Sequence, residues 1–107
     1  MRAHTLGFVL VGLILMGGNC SRARVESMNE MNAGVELAQM KRFSEAAESL
    51  ERAAVIDPTN HQAYFNLAIV NIELRSFSAA REALERAVVV KPDMPGYHEK
   101  LGTVLML

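Results

Sequence analysis

The side chains able to do chemistry are few and scattered. Three histidines, His4, His61 and His98, share the chain with a single cysteine, Cys20. A zinc site needs three or four ligands at short fixed spacings, and neither His61 nor His98 has a ligand-type neighbour one helical turn away. No metal site and no cofactor are therefore expected. No Ser-His-Asp, Cys-His or HExxH pattern occurs, and no glycine-rich phosphate loop follows a strand pattern. Glu45, Glu48, Glu51, Glu82 and Glu85 could supply acid–base pairs. However, Glu48 precedes Arg52 and Glu82 precedes Arg86 by four positions, the spacing of solvated helical ion pairs. The expectation is a protein that is not an enzyme.

Composition narrows the class further. The 107 residues carry a formal charge of −1, with like charges never running beyond adjacent pairs, so no clustered basic face suits nucleic acid. Half the chain is hydrophobic, with no tryptophan and few aromatics. That mixture of Ala, Val, Leu and Met suits closely packed helices. One cysteine excludes an internal disulfide framework.

The N-terminus has its own character. Arg2 and His4 precede an uncharged run, Leu6 to Met16, that ends in Gly17-Gly18-Asn19-Cys20. About 13 apolar residues fall short of the roughly 20 a bilayer span needs, and basic start, apolar middle and small-residue end are the parts of a signal peptide over 1–19. Gly18 and Cys20 resemble a bacterial lipobox, which implies lipidation of Cys20 and a lipoprotein facing the periplasm. Ser21 after the cysteine implies the outer membrane by the enterobacterial sorting rule. Asn19 and Gly17 depart from the usual lipobox residues. Cleavage after Ala23, giving a soluble periplasmic protein, and an uncleaved short anchor stay open. Residues 20–26 read as a polar tether.

The elements beyond it repeat. Phe43-Ser44, Ala46, Glu48, Leu50-Glu51-Arg52-Ala53, Val55 and Pro58 recur 34 residues later as Phe77-Ser78, Ala80, Glu82, Leu84-Glu85-Arg86-Ala87, Val89 and Pro92. Ser27–Asn60 laid over His61–Met94 gives 11 identities in 34, against roughly two between unrelated stretches. Such a period marks a repeat architecture. Ser27 and Glu30 have capping-box spacing, predicting a helix from Ser27 to Met40. Ser44 is a candidate cap for a second helix ending at Ile56, before Pro58. Asn60 can cap a third over His61–Leu74, a fourth spans Ser78–Val90, and Asp93 can cap a fifth that runs to the chain end.

This punctuation resembles the tetratricopeptide repeat. The family's small residue on the first helix matches Gly34, Ala68 and Gly102, and its turn aromatic matches Phe43 and Phe77. Its second-helix alanines match Ala46, Ala80, Ala53 and Ala87, and its proline matches Pro58 and Pro92. Glu30 and His98 depart from the large hydrophobe that Tyr64 supplies. The resemblance implies an all-α fold of helix-turn-helix repeats, a tetratricopeptide-like short solenoid of about two and a half repeats over 27–107 (27–60, 61–94 and a partial 95–107).

It also implies a concave groove lined by first helices, here Met28, Met31, Val35, Phe65, Asn66, Ile69, Ile72, Glu99, Lys100 and Thr103. One branch of the family clamps a terminal carboxylate. Only Asn66 and Lys100 fall at its polar positions, and Met31 and Val35 take two others, so an apolar helix or segment of a partner fits better. The implied function is a protein–protein interaction scaffold aiding assembly of an envelope complex. The partners are proteins of unknown identity, the membrane through Cys20, and no nucleic acid. Thr103-Val104-Leu105-Met106-Leu107 is an apolar close. It suggests either a longer array or self-association through the C-terminal helix.

Overall fold

The computed structural model describes the backbone of residues 2–107 and the side chains of residues 20–107, so the signal-peptide reading of 1–19 lies outside the described side chains. Five helices follow one another: α1 (Arg2–Gln39), α2 (Phe43–Ile56), α3 (His61–Glu73), α4 (Phe77–Val90) and α5 (Pro95–Leu105). The fold is all-α. Consecutive helices pack as antiparallel pairs, α1 with α2 and α3 with α4, and α5 opens a third pair.

The alanines explain how closely the pairs approach. Ala46, Ala53, Ala63, Ala68, Ala80 and Ala87 have no exposed surface, and Leu50 and Leu84 are equally covered. With only a Cβ between backbones, each leucine fills the space its neighbouring alanines leave. Met31, Leu67, Val70 and Val104 complete the larger core, and Ala87 joins Ala54, Tyr64 and Tyr97 in a second cluster.

Each pair turns in the same way. Lys41 and Arg75 both take the left-handed conformation, with φ of 61° and 59°. Behind them, Arg42 N–H bonds the Leu37 carbonyl and Lys41 N–H the Ala38 carbonyl, both at 2.9 Å; Ser76 and Arg75 repeat the pattern on Asn71 and Ile72 at 2.8 and 3.0 Å. These are Schellman closures, which satisfy the carbonyls a helix end would leave bare. Between pairs, Asp57 and Lys91 are extended (φ −134° and −135°), as a following proline demands.

The helix starts differ from the caps the sequence suggested. Ser27 does not begin a helix, because α1 continues through it and through residues 20–26. Its hydroxyl instead donates to the Ala53 carbonyl at 2.6 Å, fully buried. Ser44 caps nothing, since α2 starts one residue earlier behind Arg42, whose guanidinium bonds Glu45. Asp93 does not cap α5 either. That helix starts with Pro95 in its first turn, where a missing N–H costs nothing. Asn60 does cap α3, accepting from Ala63 N–H at 3.1 Å.

The ion pairs also move. Arg52 reaches Glu30 on α1 at 3.4 Å rather than Glu48, and Glu85 meets Arg81 at 3.7 Å. Glu30 is the better-fixed acceptor because Ser49 Oγ lies 2.9 Å from its carboxylate. The acidic side chain that departs from the family pattern is thus held by two residues of the adjacent helix.

Candidate partner-binding groove

α1 and α3 lie side by side, and the last turns of both line a cleft of about 450 Å³. Val35, Ala38, Phe43 and Ile69 form its apolar walls, Leu50 and Val70 its floor, and Gln39, Lys41, Asn66 and Glu73 its polar edge. Helical spacing produces this arrangement. Val35 and Ala38 are one turn apart on α1, and Ile69 and Glu73 one turn apart on α3. The Schellman turn then carries Lys41 and Phe43 across the open end.

Of the residues named from the sequence, Val35, Asn66 and Ile69 share this cleft. Met28 lies further along α1, 44% exposed. Met31 is only 6% exposed and belongs to the core between α1 and α2, so it lends the groove almost no surface. Ile72 is half-buried against the same core. Phe65 is half-buried and stacks on Tyr97, ring centres 4.8 Å apart, so it joins α3 to α5. Glu99, Lys100 and Thr103 stand on α5 outside this cleft; the Thr103 hydroxyl donates to the Glu99 carbonyl at 3.1 Å. Ala38, Phe43 and Glu73 were not foreseen, although the one-turn step from Val35 and Ile69 points at the first and the last.

Two further clefts, of about 480 and 440 Å³, open on the opposite side between α2 and α4. Both touch Pro58, Tyr64, Glu82 and Arg86. Both carry the charged Glu82 and Arg86 beside apolar side chains, whereas the α1–α3 cleft keeps its charged residues, Lys41 and Glu73, at its edge.

A polar contact fixes the far end of the array. Tyr97 is 4% exposed, and its hydroxyl lies 2.6 Å from His61 Nδ1, the nitrogen that accepts if the imidazole proton sits on Nε2. Burial pushes the Tyr97 hydroxyl above its ordinary pKa. Among the described residues no group of three His, Cys, Asp or Glu is placed to hold a metal ion, and no helix is long and apolar enough to cross a membrane. Cys20 is exposed and free.

Antiparallel helix pairs repeating every 34 residues, with a cleft between first helices, define a helical-repeat protein. The tetratricopeptide repeat family model matches residues 37–102, and the chain belongs to that family. A comparison with curated proteins finds no match. Among solved structures, it resembles the second tetratricopeptide domain of Spaghetti (RPAP3), bound to the HSP90 peptide SRMEEVD, at TM-score 0.75 and 15% identity over 79% of each chain. It is also similar to MamA from Desulfovibrio magneticus RS-1, at TM-score 0.70 and 23% identity, covering 95% of this chain and 62% of that one. A MamA RS-1 double mutant matches at TM-score 0.71 and 25% identity, with 76% of this chain and 46% of that chain covered.

Proposed function

We propose that this chain is a non-enzymatic scaffold that holds an apolar helix or segment of a partner protein in the α1–α3 groove. The observation that carries this reading is the cleft itself, with Val35, Ala38, Phe43 and Ile69 facing one another over Leu50. Such a surface suits the apolar face of a partner segment. The fold likeness to a tetratricopeptide domain with a bound peptide supports it. The cleft's polar side chains, Gln39, Lys41, Asn66 and Glu73, stand at its edge around apolar walls and floor, so the partner is gripped by side-chain burial more than by its terminal carboxylate.

The scaffold acts in this reading at the bacterial envelope. Lipid on Cys20 holds it to the outer membrane facing the periplasm, where it aids assembly of an envelope complex. The lipobox-like Gly18-Asn19-Cys20 and the exposure of Cys20 support the anchor. Several acyl chains, at about 0.8 kcal/mol per buried methylene, would make the attachment stable.

Two measurements test the parts separately. Mass spectrometry of the mature N-terminus should find an acylated Cys20, and Cys20→Ala should release the protein from membranes; an unmodified start at Arg24 would overturn the anchor. For the groove, a labelled amphipathic Leu/Ala helix should bind the full chain and lose roughly tenfold affinity in Ile69→Asp, about 1.4 kcal/mol. Equal binding by wild type and Ile69→Asp would remove the groove from the mechanism.

A further inference from the structure

Two polar side chains of α3 are buried without a bonding partner. Tyr64 and Asn71 are each 6% exposed. Among the described residues, neither the Tyr64 hydroxyl nor the Asn71 carboxamide makes a hydrogen bond. No side-chain nitrogen or oxygen among them is both sealed from solvent and unbonded, so the polar ends of Tyr64 and Asn71 open outward. Both line the same cleft, the one of about 440 Å³ between α2 and α4.

Packing creates this trough. α2 and α4 each rest on α3 far more than on each other, which leaves one face of α3 as a floor between them. Tyr64 and Asn71 are seven residues apart on that face, two turns or about 10.5 Å along the axis. The repeat shows that the fold does not require their unbonded state. At the position of Tyr64, Glu30 is bonded by Ser49 and His98 meets the Pro92 carbonyl. At the position of Asn71 stand the apolar Leu37 and Leu105. The trough also has a net charge. Glu51 and Glu82 stand along it with one guanidinium, Arg86, and none of the three enters an ion pair among the described residues. Two carboxylates against one cation leave it negative. Beside it Val55 and Val89, the same position in successive repeats, are 80% and 82% exposed.

We propose that the α2–α4 trough is a second binding site, which takes an extended peptide segment of a partner protein carrying a lysine or arginine. Extended backbone presents free N–H and C=O groups. The Asn71 carboxamide can donate to one such group and accept from another, and the Tyr64 hydroxyl can bond a third. Three residues of extended chain, at about 3.3 Å each, span the two-turn step between them. A partner helix would arrive with its backbone already bonded and leave both side chains as they are. The negative charge selects the basic residue, and Val55 and Val89 offer apolar surface to its neighbours. The cleft volume also lies within the roughly 300–1,000 Å³ of ligand sites. This site faces away from Val35 and Ile69 and does not depend on what the α1–α3 cleft holds.

The probe is an end-capped Ala-Val-Lys-Val-Ala peptide, titrated into the isotope-labelled full chain and followed by NMR. The Asn71 side-chain amide and the Val55 and Val89 methyl resonances should shift, and the Ile69 methyls should not. The same peptide with Glu in place of Lys should bind more weakly. Asn71→Leu, which copies Leu37, should lose about tenfold in affinity while its urea midpoint stays level or rises, because an unbonded amide adds nothing to the fold and leucine is the better helix former. Tyr64→Phe should lose about fivefold with its midpoint unchanged. Side chains with a purely structural role would do the reverse, lowering the midpoint and leaving any peptide binding intact. The proposal is overturned if binding survives both substitutions, if Asn71→Leu lowers the midpoint, or if the Glu peptide binds equally well. It is also overturned if lysine amide alone shifts the same resonances at the same concentration, which would make the trough a site for a small cation.

Discussion

Asn60 Nδ2 donates to Ser27 Oγ at 2.9 Å, and Ser27 Oγ donates in turn to the Ala53 carbonyl at 2.6 Å. Because Asn60 Oδ1 also caps α3 through Ala63 N–H, two side chains join α1, the end of α2 and the start of α3. The link occurs once. The corresponding positions in the next repeat are His61 and Met94, and there His61 turns to Tyr97 instead.

Ser27→Ala should destabilise the fold by about 1–2 kcal/mol, since it leaves the Asn60 amide and a buried carbonyl without their partner. Asn60→Ala should cost at least as much, because the α3 cap goes with it. The double variant should lose less than the sum, by about 0.5 kcal/mol or more. Urea titrations of the four proteins check this, and strict additivity would show that the two side chains act independently.

At the two inter-helix turns the expected change is a gain. Lys41 and Arg75 occupy left-handed backbone that L-residues adopt at a cost and glycine adopts freely. Lys41→Gly and Arg75→Gly should each stabilise by about 0.5–1 kcal/mol, read as a higher denaturation midpoint. Alanine at either position should give no such gain, because its Cβ meets the same obstruction.

The Tyr97 hydroxyl gives alkaline stability a defined sign. Its pKa is raised in the folded protein, so the neutral form is favoured there, and this contribution is whole below the unfolded tyrosine value of about 10. Above about pH 10 the unfolded chain loses that proton while the folded chain keeps it, and stability falls as pH rises toward the folded pKa. Unfolding free energies measured from about pH 9 to 11 should show this decline. Tyr97→Phe should flatten it.

Much of this architecture was legible from one line of residues, and the misreadings have a common physical origin. Period, turn positions and proline stops follow from local rules; α2 to α5 lie close to where those rules put them, and α1 ends where they put its end but begins far upstream of Ser27. Ser27 was misread because capping-box spacing and same-face spacing are both three residues. Ser27 and Glu30 sit together on α1, and both turn to α2. No proline or glycine interrupts Ser21–Glu26, so nothing stops the helix upstream. Glu48 and Arg52 failed as a pair for a similar reason, since a neighbouring helix offered Arg52 a carboxylate already held by Ser49. In the groove, Val35, Asn66 and Ile69 were recognisable from the resemblance. Met31 was not separable from them, because only the packed pair reveals which methionine faces α2.

The continuity of α1 bears on how the groove is aimed. From Cys20 to Gln39 the helix is unbroken, a rod of about 28 Å that enters the first repeat without a hinge. A flexible leash in that place would leave the array free to tumble about its own N-terminal end. A rod transmits orientation, so whatever fixes the Cys20 end also sets the direction in which Val35 and Ile69 face.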